Sequence, residues 1–243
     1  MSIRAQTHPD VELVIVDNHS TDATPEIAGR LGDRFATIGP ERSAQRNHGA
    51  GLAAGSHLLF VDSDMVLHPR VVEECAELAD HAEAVVIPEE SFGEGFWARC
   101  KTLERRCYLG DESIEAARFF SREVFARVGG YDENLAAAED WDLHERVRAI
   151  GGRVARTSAM IRHDEGRLRL GSLMAKKFRY GSAMRPYLAK HPELARSQLA
   201  LVRPAFIRHR RDLLAEPLTA VGVIAMKSAE AAAGVAGLAR ARL

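Results

Sequence analysis

The sequence predicts an α/β protein: a mostly parallel, twisted sheet flanked by helices, followed by a C-terminal helical extension. Short apolar, β-branched runs recur (ELVIVD at 12–17, HLLFVD at 57–62 and AVVI at 84–87). Runs without polar alternation read as strands buried on both faces. Helical segments separate them, which is the pattern of a parallel sheet with crossover helices.

The elements follow in order. Glu12–Asp17 is the first strand. Thr24-Pro25 supplies an N-cap with proline at the first helical position, opening a helix to about Leu31. Phe35–Ile38 is a second strand. Ser43 to Ala54 is helical, with Gly55 as the expected C-cap. His57–Asp62 is the strongest buried strand. Pro69 starts another helix, Ala84–Ile87 returns to strand, and Phe92–Tyr108 is helical with an irregular pattern. Ala117–Ser121 is a strand, and Ser121 begins a short helix that Gly129-Gly130 stops. Glu139–Ile150 is a helix with Leu143, Val147 and Ile150 on one face. Val154–Ile161 is the last extended segment, and from Leu170 the pattern is helical with basic faces.

Composition bounds the function. The 243 residues are 46% apolar and 28% charged, which excludes a wholly disordered chain. A chain this long buries about 70% of its unfolded surface and needs no staple. Cys75, Cys100 and Cys107 form no C-x-x-C pair and read as free thiols of a reducing compartment. The N-terminus MSIRAQTHPD has no apolar signal region. The net charge of −1 is the sum of opposed halves: 13 Lys+Arg against 26 Asp+Glu in residues 1–140, and 20 against 8 in 141–243. Such a split predicts that different parts meet different partners.

Four places carry chemistry. Asp17 closes the first strand, where a carboxylate can accept hydrogen bonds from a nucleobase or ribose. Asp62-Ser63-Asp64 follows the strongest strand. In an extended segment its two carboxylates point the same way, at the sheet end where open α/β folds bind ligands. Hard oxygen pairs suit Mg²⁺ or Mn²⁺, and those metals suit diphosphates. Arg46, in the helix before that strand, offers a positive partner for phosphate. Glu139-Asp140 opens a helix whose N-terminus favours an ionised carboxylate, and so a base. His163 could add a nitrogen ligand. Taken singly, each has a plain alternative as turn, cap or solvated surface chemistry.

Taken in order, VELVIVDNHSTDAT (11–24), ERSAQRNHGAGLAAGSHLLFVDSD (41–64) and FFSREVFARVGGYDENLAAAEDWDLHERVRAIGG (119–152) resemble the family 2 glycosyltransferases with the GT-A fold. The resemblance spans roughly residues 3–165 and divides the chain into a nucleotide-sugar-binding and catalytic domain (1–165) and a basic helical extension (166–243). It implies inverting transfer of a sugar from a nucleotide-diphosphate donor to an acceptor hydroxyl, with Mn²⁺ or Mg²⁺. Asp17 would contact the nucleobase and Arg46 would lie beside the nucleotide. Asp62 would touch ribose or metal, and Asp64 would hold the metal, with His163 as a further ligand. Asp140 would be the general base, with Glu139 and Trp141 shaping the acceptor side.

Family members begin with a strand and helix before the first strand visible here, so the expectation is an N-terminally incomplete domain. The Gln-x-x-Arg-Trp signature of processive synthases is absent. The comparable region reads Lys176-Lys177-Phe178-Arg179-Tyr180-Gly181, which implies single addition. A sugar nucleotidyltransferase or a non-catalytic nucleotide-sugar-binding protein remain the alternatives. Residues 162–211 carry 13 Lys+Arg against 3 Asp+Glu. This predicts attraction to an anionic lipid-linked acceptor or to the inner face of a membrane, on a cytoplasmic protein with no nucleic-acid partner. The apolar segment Pro217–Leu238, interrupted by Lys227 and Glu230, is expected to pack or lie on a surface and not to span.

Overall fold

The computed structural model describes residues 2–193 and 204–241. In chain order the strands are β1 Val14–Asp17, β2 Arg34–Thr37, β3 His57–Leu59, β4 Met65–Leu67, β5 Ala84–Val86, β6 Glu89–Glu94, β7 Ala117–Ser121, β8 Val154–Arg156 and β9 Ile161–Arg167. The helices are α1 Thr24–Leu31, α2 Arg42–Leu52, α3 Val71–Ala79, α4 Phe96–Cys107, α5 Arg122–Arg127, α6 Glu139–Ala149, α7 Leu170–Ala183, α8 Arg185–Lys190, α9 Pro204–Arg208, α10 Arg210–Ala215 and α11 Pro217–Arg240. Two compact units interleave along the chain. The first is Met1–Asp62, Leu67–Ile87 and Ala116–Ala159, and the second is Ser63–Val66, Pro88–Glu115 and Met160–Leu243. Residues 88–115 therefore group with the C-terminal helices.

In the first unit, β1 and β2 pair in parallel across α1. A four-stranded sheet runs β3-β7-β5-β8, with β5 and β8 parallel and β7 antiparallel to both its neighbours. Its core joins Phe120, Phe125, Tyr131, Leu143 and Val147, with the Phe60 ring edge-on to Tyr131 at 5.1 Å. Ile150 departs from the expected buried face and is 45% exposed, because α6 ends at Ala149. Helix α2 ends at Leu52, before the Gly55 expected to cap it. Arg122 explains the early end: it donates to the carbonyls of Ala50, Ala53 and Gly55, giving a terminal turn the acceptor partners it needs. Helix α1 includes Thr24 itself, whose N–H is held by the Asp22 carboxylate at 2.9 Å.

The extended segment expected over 154–161 is two strands. Between them, the Ser158 and Ala159 amides turn inward to the Glu74 carboxylate at 2.7 and 2.9 Å. Its continuation, β9, belongs to the second unit and pairs in parallel with β6 in a sheet of order β4-β9-β6. The sequence of β6, EESFGE, has little local strand preference, and pairing with a partner some 70 residues away decides its conformation.

Helices α4, α7 and α11 complete the second unit around Cys100, Leu103, Leu173, Val223 and Met226. Helices α7 and α11 touch backbone to backbone. A side chain at Gly181 would meet the Gly234 carbonyl, and one at Gly237 would meet that of Phe178. Helix α11 is long and apolar enough to cross a membrane by length and composition. Both its central charges are used within the unit: Lys227 pairs with Glu104 at 2.9 Å, and Glu230 lies 3.5 Å from Lys101. The three cysteines are free and buried. Part of the basic stretch 162–211, residues 194–203, lies outside the described residues.

Candidate functional site

Arg46 organises the first unit's polar cluster. Helix α2 is locked against the turn at 129–131 by its neighbour Asn47, whose Oδ1 accepts the Tyr131 amide at 2.8 Å. The Asn47 Nδ2 donates to the Tyr131 carbonyl at 2.9 Å. That clamp lays the Arg46 guanidinium 5.1 Å from the Tyr131 ring centroid. From there it donates to Asp140 at 2.8 Å and to Asp62 at 2.9 Å, and it reaches Glu139 at 3.4 Å. Arg42, one turn earlier on the same helix face, pairs with Glu139 at 3.1 Å. Arg118 on β7 approaches Asp62 at 3.5 Å. The strand-end acid and the helix-start acids, 77 and 78 residues apart, therefore meet on one guanidinium.

Helix α6 begins where the sequence predicts. Its N-cap, Ala138, sits in the left-handed region at φ 62°, an uncommon conformation for a residue with a Cβ. Glu139 and Asp140 fill the first turn. Burial, then the adjacent Asp140, push the Glu139 carboxyl above its ordinary value, against Arg42 and Arg46. Burial also opposes ionisation of Asp62, but Arg118 and Arg46 outweigh it and hold that carboxyl below the usual range. Burial disfavours the Arg46 cation too, and Asp140 and Asp62 reverse the sign.

The second unit holds the other half of the predicted set. His163 Nε2 lies 3.2 Å from Asp64 Oδ2, and its Nδ1 lies 3.5 Å from Glu89 Oε2. That Nδ1 is buried without a well-formed hydrogen bond. His163 stands inside β9 and not after the last strand, and the amide of Asp164 next to it donates to the Asp64 carbonyl at 2.8 Å. Glu89 is the largest influence on the imidazole and raises its pKa, with burial opposing and Asp64 reinforcing. An imidazole backed by a carboxylate, with a second carboxylate at its other nitrogen, is a donor set that suits a divalent cation. Among the described residues no three His, Cys, Asp or Glu side chains converge on one point. Two protein ligands completed by phosphate oxygens is the ordinary Mg²⁺ arrangement, so the residues fit the group.

The alternation expected across Asp62-Ser63-Asp64 is not met. Strand β3 ends at Leu59, and residues 63–64 form a turn. Asp62 falls in the first unit with Arg46, and Asp64 in the second with His163. Asp17 closes β1 as predicted, almost buried, its Oδ2 accepting the Ser20 amide at 2.8 Å; the Ser20 hydroxyl first, and then this amide, lower its pKa. Trp141 is half-buried on α6. Sequence reasoning missed Arg42, Glu89, Arg118 and Tyr131. Arg42 was readable from its four-residue spacing to Arg46, whereas Glu89 and Arg118 are placed by strand pairings that leave no local mark.

Comparison with known proteins bears on this geometry. The chain is 28% identical over 205 residues to the succinoglycan biosynthesis protein ExoA of Rhizobium meliloti, covering 75% of this chain and 62% of that one. It is 29% identical over 163 residues to a PGL/p-HBAD biosynthesis glycosyltransferase of Mycobacterium tuberculosis, covering 60% and 61%. It thus spans about three fifths of the length of those relatives. In structure it is similar to the mannosyltransferase PcManGT of Pyrobaculum calidifontis, solved with GDP-Man and Mn²⁺. The TM-score is 0.66 at 19% identity, with 98% of this chain and 81% of that one covered. TarS of S. aureus shares the fold at a TM-score of 0.54 and 18% identity, over 78% of this chain and 40% of that one. The model of glycosyl transferase family 2 matches residues 1–127, the span that carries Asp17, Arg46, Asp62 and Asp64, and the chain belongs to that family.

Proposed function

We propose that the protein is an inverting, metal-dependent glycosyltransferase that makes a single addition from a nucleotide-diphosphate sugar to the hydroxyl of a glycan or lipid-linked acceptor. The observation that carries this reading is the Arg46 network, in which one guanidinium holds both Asp62, three residues past β3, and the helix-start Asp140. Asp17 binds the base, and Asp62 and Arg46 bind the ribose and diphosphate. Asp64 and His163 hold Mn²⁺ or Mg²⁺. Bound there, the cation offsets charge on the departing diphosphate.

Asp140 accepts the proton of the acceptor hydroxyl, which then attacks the anomeric carbon from the face opposite the diphosphate and inverts it. With Arg46 at 2.8 Å, the Asp140 carboxylate is occupied before substrate arrives. A diphosphate competing for the same guanidinium leaves Asp140 free to take the proton. Glu139 and Trp141 border the acceptor. Residues 1–165 form the catalytic domain and 166–243 the extension. The basic stretch 162–211 meets anionic lipid on the inner face of a membrane, with the protein otherwise cytoplasmic.

The test is a panel of nucleotide-sugars with Mn²⁺, reading nucleotide diphosphate release, run beside Asp140→Asn. The expected result is release from one donor, with the variant losing transfer while keeping nucleotide binding. Unchanged turnover in Asp140→Asn refutes the base. Nucleotide binding with no release from any donor favours a binding protein instead, and pyrophosphate released from a nucleoside triphosphate only when a sugar 1-phosphate is supplied points to a nucleotidyltransferase.

A further inference from the structure

Helix α11 is built inside out. Its two central charges, Lys227 and Glu230, face α4, where Lys101 and Glu104 receive them in a buried cluster. Its opposite face bears Leu218, Val221, Ile224 and Val235, which are 81%, 66%, 68% and 67% exposed. The remaining exposed positions between Leu218 and Val235 are Ala225, Ser228 and Ala232, so this stripe holds no charge over more than four turns. Leu214, near the end of α10, is likewise 75% exposed. A water-facing helix normally shows the reverse distribution. Exposed aliphatic side chains in a continuous stripe mark a surface that something apolar covers.

The charges around the stripe identify the cover. Arg208, Arg210 and Arg211 stand exposed beside its N-terminal end, and Arg240 at its C-terminal end. The neighbouring acids are engaged: Glu216 lies 3.6 Å from Arg106, and Asp212 lies 3.0 Å from His209. An apolar band with arginines at both ends complements a hydrocarbon layer edged by anionic headgroups.

We infer that the outer face of α11 is a membrane-docking surface that lies in the interface of an anionic bilayer, with Leu214, Leu218, Val221 and Ile224 inserted and Arg208, Arg210 and Arg211 on the headgroups. This rests on the membrane reading above and moves the contact from basic attraction alone to an inserted helix face. The helix does not span, because its inner face is committed to α4 and α7, including the backbone contact at Gly234 and Gly237.

The test is co-sedimentation of the full chain with phosphatidylcholine vesicles, with and without phosphatidylglycerol, at low and high salt. The expected result is binding that needs the anionic lipid and weakens with salt. Replacing Arg208, Arg210 and Arg211 by Gln should cost roughly a hundredfold in affinity, at about 1 kcal/mol per charge. The triple change Leu218→Glu, Val221→Glu, Ile224→Glu should abolish binding. A Leu218→Trp variant gives a readout independent of that substitution's effect on folding. Its fluorescence should be quenched by brominated lipid beyond the level of the parent protein.

Binding unaffected by the triple change, insensitivity to anionic lipid and salt, or no excess quenching at Trp in place of Leu218 would each overturn the inference. A dimer that the triple change dissociates, without vesicle binding, would assign the face to a second copy. Vesicle binding is read without donor, and nucleotide diphosphate release on sugar transfer to a soluble acceptor is read without vesicles. Loss of one with retention of the other therefore separates this inference from the transferase reading.

Discussion

His144 makes the seating of helix α6 dependent on pH. It is buried, 6% exposed, and its Nδ1 accepts the Ala117 amide of β7 at 3.0 Å, so the neutral ring ties the helix of Glu139-Asp140 to the sheet. Burial, reinforced by Arg148, pushes its pKa down to about 4. The unfolded chain titrates near 6.5, so above that pH both states are neutral and the bond contributes in full. As pH falls from 6.5 toward 4 the unfolded chain takes up protons first, and stability is lost. At pH 5 the loss is about 2 kcal/mol relative to pH 7.5, rising to about 3.4 kcal/mol below pH 4.

The assay is urea denaturation of the parent and of His144→Asn, whose amide oxygen keeps an acceptor but does not titrate in this range. The difference in unfolding free energy between parent and variant should change by about 2 kcal/mol between pH 7.5 and 5.0. A difference that stays constant across that interval would refute the assignment, because every other titrating group is common to both proteins.

Three further outcomes follow from the packing. Arg46→Met strands Asp62, Glu139 and Asp140 without their shared cation and should destabilise the fold by about 3 kcal/mol. This is the low end for a broken buried pair, because Asp62 is 34% exposed and Arg118 remains; a loss under about 1 kcal/mol in thermal or urea unfolding contradicts the network. Lys177, in the charged cluster of α4, α7 and α11, is lowered to about 8 by burial and by Lys101. Its cost is fully present below pH 8 and disappears above 10.5, so the parent should gain about 1.3 kcal/mol from this group between pH 7 and 9. Lys177→Met should lose that rise. Gly237→Ala should lower the thermal midpoint, since the new Cβ meets the Phe178 carbonyl; helix propensity alone predicts a gain of about 1 kcal/mol, so the sign of the change decides.

What the sequence revealed and what it hid divide along the range of the interactions. The strands β1, β3, β5 and β7 were legible because short apolar or aromatic runs declare themselves locally. Helix α6 was legible because its acidic first turn and terminal glycines are local signals. The short helix α5 was legible too, its Ser121 side chain accepting the Val124 amide as the cap pattern predicts. Strand β6 was not, because Glu89 to Glu94 becomes a strand only through β9. The end of α2 was misplaced for a similar reason: the residue that satisfies its carbonyls, Arg122, comes from 67 to 72 positions away.

The site shows the same division. Asp17, Arg46, Asp62, Asp64, Glu139 and Asp140 could be picked out as types at strand ends and helix starts. That Arg46 reaches Asp62 and Asp140 together depends on how α2, β3 and α6 pack, and no spacing rule contains it. The near-zero net charge conceals a comparable arrangement in the second unit. Lys101, Glu104, Lys227 and Glu230 pair with one another inside, which removes them from the surface balance and leaves an aliphatic stripe outside. Read as a sequence, Lys227 and Glu230 interrupt an apolar run and argue against a membrane span. Placed on the inner face of α11, they hold the helix to its unit so that the uninterrupted face is the one turned outward.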